Sequence, residues 1–374
     1  MSSRIHSFKF LCACLSVSSS DIDKLRTEII NDDIVWEDVI TLANNNMLTP
    51  ALWVSLSNKG LVEYIPLELR DYLDELHNLN TQRNEKLSTQ AIEAINALNS
   101  INVKPALLKG SAYLFLNAFG DIGARMMYDL DIMISKSELE KSVNKLQQLA
   151  YETSTEEGVK FTDHHHIAPL IRQGEYGSIE LHHELLSNTC SSVLPTAEAW
   201  RHTETITIED FSVAVLSPTH RVLHSILHAQ VSDAYHKHHI INLRSLHDLD
   251  NLLCNDKAEI DWNYIQKIMK THGLRSVLLS HLYHVNILFG TALPEGIKPN
   301  LLCRLHYLRC MAGIRWDRFA RFERDLKRYS RKKICRRYHC ENHWIPVNKN
   351  RIIYTGELLK RWFLGVTRLL RNNN

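Results

Sequence analysis

The stretch KPALLKGSAYLFLNAFGDIGARMMYDLDIMIS, from Lys104 to Ser135, restricts the fold more tightly than any other part of this 374-residue chain. Val103 to Leu108 is a short apolar run with a β-branched start, which predicts a buried strand. Lys109-Gly110-Ser111 interrupts it, and from Ser111 to Phe119 the apolar residues Ala112, Phe115, Leu116 and Phe119 recur at helical spacing. A strand feeding a helix through a glycine turn leaves unpaired N–H groups at the helix start, suited to an anion. Gly110 lets the backbone approach that anion closely, because no Cβ intervenes. A second strand is predicted over Tyr128–Ile134. Its alternation puts Asp129 and Asp131 on one face and Leu130, Ile132 and Ile134 on the other. Two carboxylates one strand period apart are roughly 6–7 Å apart at the backbone, suited to one or two divalent ions. Taken alone, D-x-D also fits a strand end at a solvated edge.

Together the two halves read apolar strand, KGS, helix, Arg125, apolar-flanked DLD. This order resembles the nucleotidyltransferase superfamily related to DNA polymerase β, and within it a bacterial family of the form LLKG(A/S)…R…DLDLLV. The resemblance implies an α+β fold: a polymerase β-like core, a mixed sheet with flanking helices, between an N-terminal and a C-terminal helical lobe. It assigns Gly110 and Ser111 to a triphosphate-binding turn, Lys109 and Arg125 to phosphate neutralisation, and Asp129 and Asp131 to metal. Ser111 and Asp129 are 18 positions apart, more than in the smallest superfamily members. That gap leaves Arg125 on a loop.

The superfamily also uses a third carboxylate from a neighbouring strand. Ser178 to His183 alternates so that Glu180 and His182 face away from Ile179 and Leu181. The resemblance implies that Glu180 completes the acidic trio as metal ligand or base, with His182 a hydrogen-bond partner behind it. An exposed Glu on a hairpin strand is the structural alternative.

The remaining sequence suggests residues 1–85 as the helical lobe, 86–216 as the core and 217–374 as a C-terminal helical domain. Within the first, helices are expected from Asp21, over Asp33–Ala43, from Thr49-Pro50 and over Pro66–His77. Asn84–Asn99 is a further amphipathic helix leading into the first strand. After the second strand, Ser137 and Glu140 form a capping-box pattern. Hairpins are expected over His165–His182 and Thr203–Leu216. The apolar run after Ser7 is short and continues into a helix start, so it is read as a core helix rather than a signal peptide. No window approaches the roughly 20 apolar residues of a membrane span.

Net charge is +2, but 17 of the 44 basic residues and only 5 of the 42 acidic ones lie in Arg315–Asn374, which leaves −10 elsewhere. A basic tail on an acidic body invites RNA or another polyanion, or an anionic membrane surface. Glu357–Leu370 within it reads as a basic amphipathic helix. Eight cysteines without regular spacing do not form a disulfide framework and read as reduced thiols of a cytosolic protein. His220, His224 and His228 share a helix face, but no Glu follows the first as in a zinc protease, so they read as core and interface histidines. Cys335, His339, Cys340 and His343 are compact but lack the paired layout of a zinc finger. The resemblance extends to Leu243–Leu249, an L-R-x-L-x-D-L pattern in which Asp248 either helps hold the base or acceptor or, more simply, forms a buried Arg–Asp pair.

The activity implied by the resemblance is Mg²⁺- or Mn²⁺-dependent transfer of a nucleoside monophosphate from an NTP to an acceptor hydroxyl, releasing pyrophosphate. The acceptor is left open among RNA, protein, peptide and small molecule. The alternative is an inactive binding module of the same fold that engages RNA or a protein partner through the basic C-terminal region.

Overall fold

The computed structural model describes residues 3–17, 21–154, 165–187, 190–208, 211–256, 259–316, 320 and 354. Cys335, His339, Cys340, His343, the helix expected over Glu357–Leu370 and almost all of the basic tail lie outside the described residues. Seven strands form one mixed sheet: β1 Ala106–Leu107, β2 Asp129–Met133, β3 Glu152–Thr153, β4 Leu170–Ile171, β5 Ser178–His182, β6 Thr203–Ile208 and β7 Phe211–Leu216. Their spatial order is β3-β4-β5-β2-β1-β7-β6, so the DLD strand is central. It runs antiparallel to β1 and parallel to β5, with Asp131 opposite Glu180 and Met133 opposite His182. Flanking helices on both faces complete the α+β fold expected from the sequence.

The alternation read from the sequence sorts the two faces. Leu130, Ile132, Ile179 and Leu181 are fully buried on the back, packed with Leu87, Ala91, Ala94, Ile95 and Leu98. Those five come from one helix, Leu67–Asn99. Two helices are expected there, and the expected lobe boundary at 85/86 falls inside the single one. Continuity follows from composition, because no Gly or Pro interrupts Leu67–Asn99. On the front, one apolar core runs from Phe8 and Leu11 of the first helix to Val285 and Phe289 of the C-terminal part. The N-terminal helix Ser3–Leu15 buries Phe8, Phe10, Leu11, Cys12, Cys14 and Leu15, which makes it a core helix as read. Among the described residues, no helix is long and apolar enough to cross a membrane. None of the six described cysteines is in a disulfide.

Three local expectations are corrected. The strand expected over Val103–Leu108 shortens to Ala106–Leu107, with Pro105 O still accepting from Ala214 N–H and Leu108 N–H still donating to Asp131 O, both at 3.1 Å, before Leu108 opens the helix. Ser137 does not cap a helix: its hydroxyl meets Ser135 Oγ at 2.8 Å, and the helix starts at Leu139. The first strand of the His165–His182 hairpin shrinks to Leu170–Ile171, with one isolated bridge between His166 and His182.

The polar face of the long helix has a task that apolar patterning does not reveal. Asn80 donates to Gly123 O at 2.6 Å, and Asn84 donates to Ile122 O at 2.6 Å and Arg125 O at 2.8 Å. Arg83 donates to Met127 O at 2.8 Å. These side chains hold the loop that carries Arg125 against the helix. We expect Asn84→Ala to cost about 1–3 kcal/mol, because two carbonyls lose a buried donor. Denaturant unfolding measures it.

Candidate active site

The site is assembled where β1 turns into the helix Lys109–Leu116 beside the carboxylate strand. Lys109 sits at φ 47°, in the left-handed region that non-glycine residues seldom occupy and that clusters at functional sites. Ser111 is fully buried, and its hydroxyl accepts from the Asp131 N–H at 2.7 Å. It therefore ties the helix start to the DLD strand, and it does not line the cavity in front. Gly110 is tightly enclosed as well. A Cβ there would stand 2.2 Å from Arg125 Nη1 and 2.6 Å from Met127 Sδ. The glycine thus makes room for the Arg125 guanidinium, a neighbour that the sequence alone does not show.

Asp131 is the electrostatic centre. Lys109 Nζ donates to its Oδ1 at 2.8 Å, and His182 Nε2 lies 2.7 Å from the same oxygen. Burial alone would raise this carboxyl, but the Lys109 charge and the His182 hydrogen bond hold it well below the usual carboxylate range. Burial works against Lys109 too, yet Asp131 keeps the ammonium above its ordinary value. The ammonium is therefore bonded to a carboxylate, where the resemblance assigned it to phosphate. His182, fully buried, is pushed down to about 4 by burial, so its ring is neutral and Nε2–H donates to Asp131.

Asp129 and Glu180 behave oppositely to Asp131. Both carboxyls are raised above their ordinary values, first by burial and then by repulsion from neighbouring carboxylates, although His166 pulls Glu180 the other way. Glu180 Oε2 stands 3.7 Å from His166 Nε2 and 3.8 Å from His182 Nε2. Ligand atoms of Asp131, Glu180 and His182 lie within 4.8 Å of one another. His165 and His166 extend this group, with ring centroids 5.2 Å from that of His182. Neither was singled out from sequence, although the HHH run itself was the available signal.

A cavity of about 300 Å³ opens in front of these groups. Lys109, Gly110, Arg125, Asp129 and Asp131 line it, whereas Ser111 and Glu180 do not. The C-terminal helices supply the opposite wall. Arg125 forms a two-pronged pair with Asp248, Nε to Oδ1 at 3.0 Å and Nη2 to Oδ2 at 2.9 Å. The buried Arg–Asp pair therefore joins Asp248 to Arg125 across the cavity, not to Arg244 within its own helix. Arg244 also lines the cavity and donates to Met126 O at 2.7 Å. Burial and the nearby Arg125 charge lower its pKa. Arg221, another lining residue, meets Asp256 at 2.9 Å. Sequence reasoning missed Arg221, which sits in an apolar helix without any motif.

His224 and His228 also line the cavity. His224 is buried as read, but His228 opens a one-turn π-helix, His228–Ser232, a distortion frequent at functional sites. A larger cavity of about 610 Å³ shares Tyr113 and Arg221 with the first and reaches Lys59, Asn58 and Phe119.

A glycine turn opening a helix beside a central carboxylate strand is the arrangement of a nucleotidyltransferase core. The family model described as "Uncharacterised nucleotidyltransferase" matches residues 32–290, and the chain belongs to that family. Among solved structures, it is similar to an antigenic nucleotidyltransferase-like protein from Paracoccidioides brasiliensis, at 17% identity and a TM-score of 0.34. That similarity covers 61% of this chain and 98% of the other, and it is too loose to bear on the site. No curated protein matches the chain.

Proposed function

We propose that the protein transfers a nucleoside monophosphate from an NTP to an acceptor hydroxyl, with the triphosphate in the cavity between the Lys109–Leu116 helix start and Arg244. The observation that supports this most is the convergence of Asp129 and Asp131 with Lys109, Arg125, Arg221 and Arg244 on one cavity. Carboxylates and guanidinium groups together suit a polyanion carrying divalent cations, where either set alone would suit only one of them.

The donor set fits such a cation. Asp129 and Glu180 are raised partly by like charge from Asp131, and a divalent ion among them relieves that repulsion. Asp129 and Asp131 would hold it from the cavity wall, with Glu180 beside Asp131 but outside the cavity lining, and oxygen ligands beside phosphate favour Mg²⁺ or Mn²⁺. When bound, it supplies positive charge for the α-phosphate and for the leaving pyrophosphate.

The chain's own groups do the rest. Arg125 and Arg244 neutralise the outer phosphates, Arg125 being held in orientation by Asp248. The acceptor oxygen bonds to the α-phosphorus, the bond to pyrophosphate breaks, and the hydroxyl proton passes to a carboxylate. Asp129 is better placed for that proton than Glu180, because it lines the cavity and Glu180 does not. The adjoining larger cavity gives the acceptor a place behind Tyr113 and Arg221. His182 acts by positioning Asp131, so His182→Ala should weaken Mg²⁺ binding about 10–100-fold, read by calorimetry.

The reading also has a pH signature. Raised carboxyls must lose their protons before they can hold a cation or accept a proton. In the metal-free protein, Mg²⁺ affinity should therefore rise with pH through a value above the ordinary carboxylate range of about 4. Calorimetric Mg²⁺ titration across pH checks this. An affinity that levels off at or below the ordinary value would show that these carboxyls do not hold the cation.

A further inference from the structure

A second cluster of ligand-type side chains lies where the helix Arg275–Phe289 packs on the helix Leu301–Arg315. His284 comes from the first helix. His306 and Cys310, four residues apart and hence on one face, come from the second. His306 Nδ1 is 3.4 Å from His284 Nε2 and 3.6 Å from Cys310 Sγ. The three ligand atoms all lie within 4.8 Å of one another. His284 and Cys310 are buried, at 2% and 1% exposure.

The tautomer of the shared ring can be assigned from its other nitrogen. His306 Nε2 is 3.0 Å from the His236 carbonyl, which can only accept, so Nε2 bears the proton. Nδ1 therefore presents a lone pair to His284 and Cys310. A metal-bound histidine has the same backing, its far nitrogen donating to a carbonyl.

The nitrogen–nitrogen separation matches a tetrahedral ion better than a hydrogen bond. Two nitrogens 3.4 Å apart exceed the usual N–H···acceptor range of about 2.7–3.2 Å. With Zn–N of about 2.0–2.1 Å and Zn–S of about 2.3 Å, tetrahedral edges come to about 3.4 Å between nitrogens and about 3.6 Å between nitrogen and sulfur. These are the two distances observed here. His281, three positions before His284, is fully buried and neither ring nitrogen has a hydrogen-bond partner.

We propose that His284, His306 and Cys310 form a structural Zn²⁺ site, separate from the nucleotidyl-transfer centre. The fourth position falls to a solvent molecule. Two imidazoles and a thiolate select zinc over the hard ions suited to Asp129 and Asp131. On binding, the Cys310 thiol releases its proton to solvent. The site would fasten Leu301–Arg315, which follows the family-matched residues 32–290, onto Arg275–Phe289. It would also brace Tyr235–His238, because the His236 carbonyl holds His306 while Tyr235 lines the catalytic cavity.

Cobalt titration of the purified full-length, zinc-stripped protein tests this. The wild type should develop a thiolate-to-cobalt charge-transfer band together with tetrahedral d–d bands, and excess Zn²⁺ should displace both. Cys310→Ser should lose the charge-transfer band, whereas Cys340→Ser should keep it. His306→Gln serves as the second variant, with loss of bound zinc measured by elemental analysis of protein whose far-ultraviolet spectrum is unchanged. No charge-transfer band in the wild type, or an undiminished one in Cys310→Ser, overturns the site. The readout is independent of NTP turnover, so its failure leaves the nucleotidyl-transfer reading untouched.

Discussion

Asp129→Asn should reduce NTP turnover about 10²–10³-fold or more without destabilising the metal-free protein, whereas Asp131→Asn should lose turnover and about 3 kcal/mol of stability. The two residues are two positions apart on one strand, share a face and differ in partners. Asp131 bonds to the buried His182 and to Lys109, whose side chain is 25% exposed at the cavity. Removing its charge leaves the Lys109 ammonium without its counterion at a partly shielded site. Loss of one partner of a buried pair typically costs about 3–5 kcal/mol, and Asn retains an acceptor, which puts the effect at the low end.

The pH dependence has the same sign structure. Asp131 has a depressed folded-state pKa, so its stabilisation is present above the unfolded carboxyl value and is lost as pH falls through the folded one. Asp129 is raised, so its ionisation opposes folding, a penalty that sets in as pH rises past the unfolded carboxyl value and is complete above the raised one. Near neutral pH, replacing Asp129 by a neutral amide removes an opposing charge. Thermal melts of metal-free wild type and both variants at pH 7 decide the matter. Equal destabilisation by the two substitutions would contradict the assignment of partners.

Gly110→Ala should cost about 1–3 kcal/mol and also raise the KM for NTP sharply. A new methyl would meet Arg125 Nη1 at 2.2 Å and Met127 Sδ at 2.6 Å, separations that no packed structure tolerates. Arg125 cannot yield freely, because Asp248 grips it at two points and Asn84 holds its backbone. The guanidinium is therefore forced off Asp248 or out of the cavity, and the phosphate site loses its oriented cation. Met127→Ala in the same chain relieves only the sulfur contact and should recover little. Unaltered KM in Gly110→Ala would show that the Arg125 position is irrelevant to the nucleotide.

How much of this was legible in the sequence depends on distance along the chain. The β2 face pattern came directly from alternation in Asp129–Ile134, and the pairing of Asp131 with Glu180 needed only the resemblance and the matching alternation in β5. The role of Gly110 was legible as a need for space but not as to what fills the space, since Arg125 lies 15 positions away on a loop. The resemblance alone assigns Ser111 to the triphosphate-binding turn, and here its hydroxyl turns inward to the Asp131 amide. Arg221, Arg244 and Asp248 come from helices more than 90 residues beyond Asp129, and no local pattern shows which face meets the cavity. The polar stripe Asn80, Arg83 and Asn84 was equally silent. An amide on a helix looks like a solvated face until the loop that it anchors is known.

The central claim is that the Asp129–Asp131 strand and the Lys109–Gly110 turn form one nucleotide site. Calorimetric titration of the full-length protein with a non-hydrolysable NTP analogue, with and without Mg²⁺, tests it most directly. Saturable Mg²⁺-dependent binding to the wild type that disappears in Asp129→Asn is the predicted result. Binding that is indifferent to Mg²⁺ and unchanged by Asp129→Asn, or no binding at all, would contradict it.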